Sequence, residues 1–426
     1  MLVHVRNAAA MVAITLLAAC GGAAAPAPQS TAPELSDGGE TLVTARREIP
    51  GQYIVVMDDA LIPLVPQLVD LITGVAVELL GWLPIIQGAV VRMDAATAEW
   101  LARQPGVAYV EPDQWMQATA VQVGPTWGLD RVDQRPLPLD GQFRYPDAAG
   151  AGSHVYIIDT GLRSSHAEFT GRVGGGRNFV ATSGGLALPI PLLGDLAGGL
   201  LGGLLGGGAS ADPADFEDCN GHGTHVAGTA AGTTYGIAKG ARVYGVRVLD
   251  CRGSGPTSAV IAGMQWVADN HIKPAVANLS LGGGASTALD DAVRAAVAAG
   301  VTVVVAAGND STNACNGSPN RVAEAITVGA STREDQRSSF SNTGACVDLF
   351  APGSAITSAW HTGDTQTQRL DGTSMASPHV AGAAAVIAAA GGTPGDVTSA
   401  LLDAATVGIL SGIGNGSPNR LLYVQP

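Results

Sequence analysis

Four short stretches of this chain set a chemically capable side chain where a strand pattern ends or a helical one begins. Asp159 ends the run VYIID, His222 opens the helix of NGHGTHVAGTAAG, Asn309 follows VTVVVAAG, and Ser374 lies in LDGTSMASPHVAG where an alanine-rich helix starts. A serine hydroxyl is a poor nucleophile until a neutral imidazole takes its proton, and the imidazole needs a buried carboxylate to fix its tautomer and steady its positive charge. An amide side chain adds a donor for an oxyanion. Together the four types point to nucleophilic acyl transfer. The lean residues around Ser374 let another group come close, with first-turn N–H groups pointing at it. Singly, each residue has a duller account: Ser374 as an N-cap, Asp159 as a strand-end turn residue, Asn309 as a left-handed turn former. Only the combination moves the reading. His225 and His379, on the same helical patterns, read as packing residues. Cys219, His222 and His225 have a spacing that could recruit zinc, but no fourth ligand stands out.

Such a set works only if distant segments meet at one rim. From Trp127 onward, short β-branched runs, apolar on both faces as buried parallel strands are, alternate with helical patterns. The strand runs are 155–159, 243–249, 276–281, 301–308, 325–330 and 347–353; the helical ones are 221–235, 255–271, 288–300 and 374–390. This alternation predicts an α/β domain, a parallel sheet with helices on both faces. In a doubly wound sheet ligands collect beyond the carboxyl ends of the strands, where all four residues fall. Ahead of this domain, QYIVVM, GAVVRM and VAYVEPD read as strands, 61–86 as a region that could cover a helix, and DAATAEWLARQPG as a helix capped by Asp94. They predict a small ferredoxin-like α+β unit. The segment 184–215, rich in Gly and Leu, fits no element and reads as a surface loop, with a membrane- or partner-touching loop as the sharper alternative because exposed leucines in that number are unusual.

Composition narrows the function further. Aromatics are 4% of the 426 residues and glycines number 58, so packing rests on Ala, Val, Leu and close backbone approach. A net charge of −14, with Lys239 and Lys273 the only lysines, argues against nucleic acid as a partner. Residues 1–20 hold a basic start, an apolar run and Leu17-Ala18-Ala19-Cys20. They resemble a bacterial lipoprotein signal in which Cys20 is lipidated, the one expected contact with a membrane; the plainer alternative is an ordinary secretory signal ending near Ala19. Residues 21–47 read as a disordered tether. Export to an oxidising compartment makes the four remaining cysteines, Cys219, Cys251, Cys315 and Cys346, candidate disulfide partners in any of three connectivities.

IIDTG, NGHGTHVAG, AAGND and GTSMASPHVAG resemble, in order, the four signature segments of subtilisin-like serine proteases. The likeness falls in the proteinase K branch, nearest the aqualysin-type enzymes, and GSGPTSAVIAG, ANLSLGGG, FSN and SGIGNGSPNRLLY extend it. The resemblance implies Ser374 as nucleophile, His222 as general base and acid, Asp159 as its orienting partner, and Asn309 with the Ser374 N–H as oxyanion donors. It implies that Gly253-Ser254-Gly255 and Ser280-Leu281-Gly282 clamp a substrate backbone as two strand edges, with broad selectivity and a hydrophobic preference. It pairs Cys219 with Cys251 and Cys315 with Cys346. It implies structural calcium, held by Asp348 with the carbonyls of Ala323 and Ala325, and by Asp130, Asp133 and Gln134, with Asp140 placed to complete the second set although the following GQF departs from the expected pattern. No cofactor is implied for catalysis. Residues 48–119 resemble the family's inhibitor propeptide, with autocleavage near Thr119 and the peptidase domain spanning 120–426. The expectation is an exported, monomeric serine endopeptidase acting on proteins and peptides, made as a zymogen in the cell envelope and free or retained after processing.

Overall fold

The computed structural model describes residues 48–58, 77–114, 119–180 and 212–425. The signal, the tether, Cys20 and all but the last four residues of the 184–215 segment lie outside them.

The N-terminal unit is an antiparallel sheet with edge-to-edge order Glu78–Leu83, Gly88–Arg92, Glu48–Met57, Val107–Gln114. That order and the helix Ala95–Leu101 make it ferredoxin-like. Alternating side chains of its strands, Val55, Met57, Ala89 and Val91, meet Ala98 and Leu101 of the helix in one small core. Asp94 caps the helix, its carboxylate accepting from the Thr97 N–H at 2.7 Å. Of the stretch 61–86, read as a region that could cover a helix, residues 61–76 lie outside the described residues, and Glu78–Leu83 near its end is an edge strand. ELLGWL carries no strand alternation, and pairing with Gly88–Arg92, with Glu78 ion-paired to Arg92, decides its conformation.

The larger sheet has nine strands, and its core is parallel, in the order Leu349–Pro352, Ile326–Ser331, Val301–Ala306, Ala275–Leu279, His154–Asp159, Arg242–Arg247, Val173–Asn178. Short terminal strands, Thr406–Val407 and Arg420–Leu421, extend one edge. Helices His222–Ala231 and Thr373–Ala389 cover one face; Thr257–Asn270 and Thr287–Ala299 cover the other. Two large apolar clusters follow, one under each helical layer. The inner strands are buried on both faces, as their near-continuous Val, Ile and Ala runs require.

Several elements escape the sequence reading, two of them instructive. Val173–Asn178 forms an edge strand although three of its six residues are glycine, because a Cβ at Gly174 would strike the Tyr244 ring and one at Gly176 the Gly245 carbonyl. Helix Pro394–Ala404 is set by a capping box, Thr393 and Asp396 bonding reciprocally, and packs on Thr373–Ala389.

The chain order of the sheet reverses around His154–Asp159: one neighbour, Arg242–Arg247, leads to the near edge and the other, Ala275–Leu279, to the far edge. A crevice opens at the carboxyl end of such a switch point, beyond Asp159 and Leu279.

Candidate active site

Asp159 ends its strand wholly buried, and His222 begins the helix that packs over that strand. Gly221, just before the helix, has φ 110°, and a Cβ there would press on the Trp360 and His361 rings at 2.5 Å. The turn thus brings His222 Nδ1 to 2.7 Å from Asp159 Oδ1, which also accepts the Thr160 N–H at 2.7 Å. Burial by itself favours neutral imidazole, but the charge and hydrogen bond of Asp159, with the charge of Asp218 behind, outweigh it and hold the His222 pKa above its ordinary value.

Ser374 is the second residue of helix Thr373–Ala389. Pro378, four residues on, has no N–H, so the Ser374 carbonyl loses its helical partner. The Ser280 hydroxyl takes that place, donating to the Ser374 carbonyl at 2.8 Å. Ser280 is fixed in turn by the Asn278 side-chain amide (2.9 Å), whose oxygen accepts from the Ser377 hydroxyl (2.6 Å). The Ser374 hydroxyl donates to the Ser280 carbonyl at 3.2 Å, and no hydrogen bond joins it to His222. Serine and imidazole stand instead in adjoining cavities.

Asn309 lies just beyond the end of strand Val301–Ala306. Its side-chain oxygen accepts from the Thr373 N–H (2.8 Å) and hydroxyl (2.9 Å), which fixes the amide and leaves its NH2 for another acceptor. The Asn342 side chain holds the same loop, accepting from the Asp310 and Thr312 N–H groups and donating to the Ala307 carbonyl.

His222 lines a cavity of about 480 Å³ with Gly253, Ser254, Gly255, Ser280, Leu281 and Gly282. Ser374 and Asn309 line its neighbour, about 470 Å³. Leu281 to Gly284 form the shared wall. A Cβ built on Gly283 or Gly284 meets nothing within 4 Å, so the wall is open to an approaching backbone. The geometry is a groove flanked by two exposed backbone edges, with a carboxylate–imidazole pair and a fixed amide at its floor.

Residues 150–416 match the family described as "Peptidase_S8: Subtilase family". The extracellular serine proteinase of Thermus sp. (strain Rt41A) is 54% identical over 79% of this chain and 75% of the relative. The chain is a subtilase. Alkaline serine exoprotease A of Vibrio alginolyticus is 45% identical over 79% of this chain and 58% of that protein. A solved cold-adapted subtilisin-like serine proteinase is 47% identical and matches with TM-score 0.62, covering 71% of this subtilase and 99% of that chain. Family membership makes this subtilase a serine endopeptidase.

The disulfides Cys219–Cys251 and Cys315–Cys346 form as the resemblance implied. The first removes Cys219 from the zinc reading, and His225 spends its Nε2 on the Ile356 and Gln368 carbonyls. His225 and His379 are buried, and burial pushes both pKa values down to about 4. Among the described residues no group of three or more His, Cys, Asp or Glu side chains is arranged to hold a metal ion.

The two calcium sets differ in fit. Asp348 is bonded to the Thr327 N–H (2.8 Å), two residues past Ala325, and burial pushes its pKa up to about 6. The charge of Arg420 offsets only part of that burial cost, and a mostly desolvated carboxylate is the kind of oxygen ligand a hard metal ion takes. In the second set, Arg144 bridges Asp133 (3.4 Å) and Asp140 (2.7 Å), Asp130 accepts from the Gly141 N–H, and the Gln134 amide oxygen accepts from the Asp140 N–H. A guanidinium already balances part of this charge.

The sequence reading missed Thr373, bonded directly to Asn309, and Asp218, bonded to the residues that flank Asp159 and His222. Asp218 stands two residues before NGHGTHVAG and Thr373 lies inside GTSMASPHVAG, and the role of each is legible only through its partners.

Proposed function

We propose that this subtilase hydrolyses peptide bonds through an acyl-enzyme, with Ser374 as nucleophile, His222 as general base then acid, and Asp159 as the carboxylate that orients the imidazole. The observation that carries this is the 2.7 Å pairing of wholly buried Asp159 with His222 at the groove that Ser374 adjoins. A substrate strand laid between Gly253–Gly255 and Ser280–Gly282 brings its carbonyl over Ser374. The hydroxyl then exchanges its bond to Ser280 for one to His222, a side-chain rotation of the kind that substrate binding completes. As the carbonyl is attacked, its oxygen takes the Asn309 NH2 and the Ser374 N–H; His222 accepts the serine proton and later returns it to the leaving amine. Water repeats the cycle on the ester. Backbone recognition supports broad selectivity, and Leu281 and Leu249 in the groove support a preference for apolar side chains.

The reading includes Asp348 with the Ala323 and Ala325 carbonyls as the calcium ligands that brace the sheet edge. It includes the unit 48–119 as a propeptide that is removed near Thr119, export under the signal 1–20 with lipidation at Cys20, and action on proteins and peptides as a monomer outside the cell. The name of the Thermus relative agrees with that location.

The test is active-site labelling with a fluorophosphonate followed by peptide mass spectrometry. Label on Ser374, lost in Ser374→Ala together with casein hydrolysis, is the expected result; label elsewhere or surviving hydrolysis refutes the assignment. N-terminal sequencing of the secreted product tests self-processing: identical termini in parent and Ser374→Ala show that another protease makes the cut.

A further inference from the structure

Behind the proton-transfer pair lies a second buried carboxylate. Asp218 is 9% exposed and accepts five hydrogen bonds. Its Oδ1 takes the Thr160 hydroxyl and the Asn220 and Gly221 N–H groups, each at 2.9 Å; its Oδ2 takes the Thr224 N–H at 2.9 Å and the Thr224 hydroxyl at 2.6 Å. The Thr160 hydroxyl also accepts from the Gly223 N–H at 2.8 Å. Thr160 follows Asp159 directly, and Gly221, Gly223 and Thr224 surround His222 in sequence. One side chain therefore bonds both the strand end that carries the acid and the first helical turn that carries the base.

All five partners are donors. An ionised carboxylate is acceptor-only and satisfies them all, whereas an amide would turn its NH2 toward N–H or O–H groups. Burial would favour the neutral acid, but the hydrogen bonds win and keep the Asp218 pKa below the usual carboxylate value, so its charge persists wherever the enzyme works. Resting on the acyl-transfer reading above, we propose that Asp218 is a positioning residue for proton transfer: it clamps the Asp159 strand to the His222 helix and places a permanent negative charge behind the imidazole.

The titratable and charged groups around His222 include Asp159 on its strand, Asp218, His225 one turn along its own helix, His361 against Gly221, and Arg252 across the cavity. Asp159 and Asp218 raise the proton affinity of His222, and Asp218 does so without touching it.

The experiment is the pH profile of kcat/KM on a peptide p-nitroanilide, using full-length chains expressed and matured in parallel. Asp218→Asn removes the charge, so the acidic limb, where His222 must lose its proton, moves to lower pH by roughly one unit. Its kcat falls on the order of tenfold with KM held, less than the roughly 10²–10⁴-fold that the general base itself contributes, because His222 is misplaced rather than removed. Thr160→Val cuts the clamp but keeps the charge: kcat falls, the limb stays, and Thr160→Ser restores the rate. An acidic limb unmoved in Asp218→Asn, or equal rates in Thr160→Val and Thr160→Ser, overturns the proposal. If Asp218→Asn gives no soluble enzyme, the Thr160 pair decides it. Hydrolysis surviving Ser374→Ala would instead sink the acyl-transfer reading, an outcome distinct from either of these.

Discussion

The Ser280 hydroxyl donates to the Ser374 carbonyl at 2.8 Å, a bond that exists because Pro378 cannot supply the helical one. A residue that interrupts a helix ladder thus lets a neighbouring loop hold Ser374, the proposed nucleophile. Ser280→Ala leaves that carbonyl without its partner. The expected cost is about 1–3 kcal/mol of stability, with a fall in kcat larger than any change in KM. Urea denaturation beside steady-state kinetics checks both; an enzyme unchanged in each would show the bond to be idle.

Asn309 is held through its oxygen by Thr373, so its NH2 is fixed before substrate arrives. Asn309→Ala should lower kcat about 10²–10³-fold with KM within a few-fold, since the donor acts on charge that appears only in the transition state. A peptide boronate inhibitor should weaken in parallel. A loss confined to KM would contradict the assignment.

His222 has a raised pKa and must be neutral to accept the serine proton. Activity is therefore full above that pKa and lost as pH falls through it. The acidic limb of kcat/KM is expected above about 6.5, the ordinary histidine value, and should drop in Asp159→Asn. A limb below the ordinary value in the parent would reverse the sign assigned here.

His379 is buried against the backbone of Gly128, bonds the Met375 carbonyl, and has a pKa pushed down to about 4. In the unfolded chain it takes a proton near pH 6.5, so acid favours unfolding throughout the window between those two values. The term is on the order of 3 kcal/mol. Asp133 and Asp348, raised to about 6, act in the opposite sense. A paired comparison cancels them: between pH 7 and pH 4, Tm should fall less in His379→Gln than in the parent. Parallel curves would refute it.

Asp348 sits at the sheet edge with burial opposing its charge. A calcium chelator should lower the parent Tm, and Asp348→Asn should have a low Tm that chelator no longer moves. In the second set, Arg144→Gln should increase the number of calcium ions bound, counted by isothermal titration, because a competing internal cation is gone. Equal stoichiometry would mean that Arg144 does not compete.

The larger sheet was readable because buried parallel strands leave uninterrupted β-branched runs, as in VTVVVAAG, and helices between them leave longer apolar patterns. Glu78–Leu83 and Val173–Asn178 were not readable: one lacks alternation and the other is half glycine, and each becomes a strand only by pairing with a neighbour. The same holds at the site. Asp159, His222, Asn309 and Ser374 announce themselves by residue type at element ends, whereas Asp218 is an ordinary acid until its five donors are in place.

By itself the sequence determined the α/β class and the types and chain order of the proposed catalytic residues, because these depend on local pattern and side-chain chemistry. Only the tertiary structure decided which hydroxyl takes the Ser374 carbonyl, that Arg144 lies among the acids near Asp133, and that Asp218 joins strand to helix. Those contacts link segments far apart in the chain, and their strength comes from burial, which no local stretch of sequence contains.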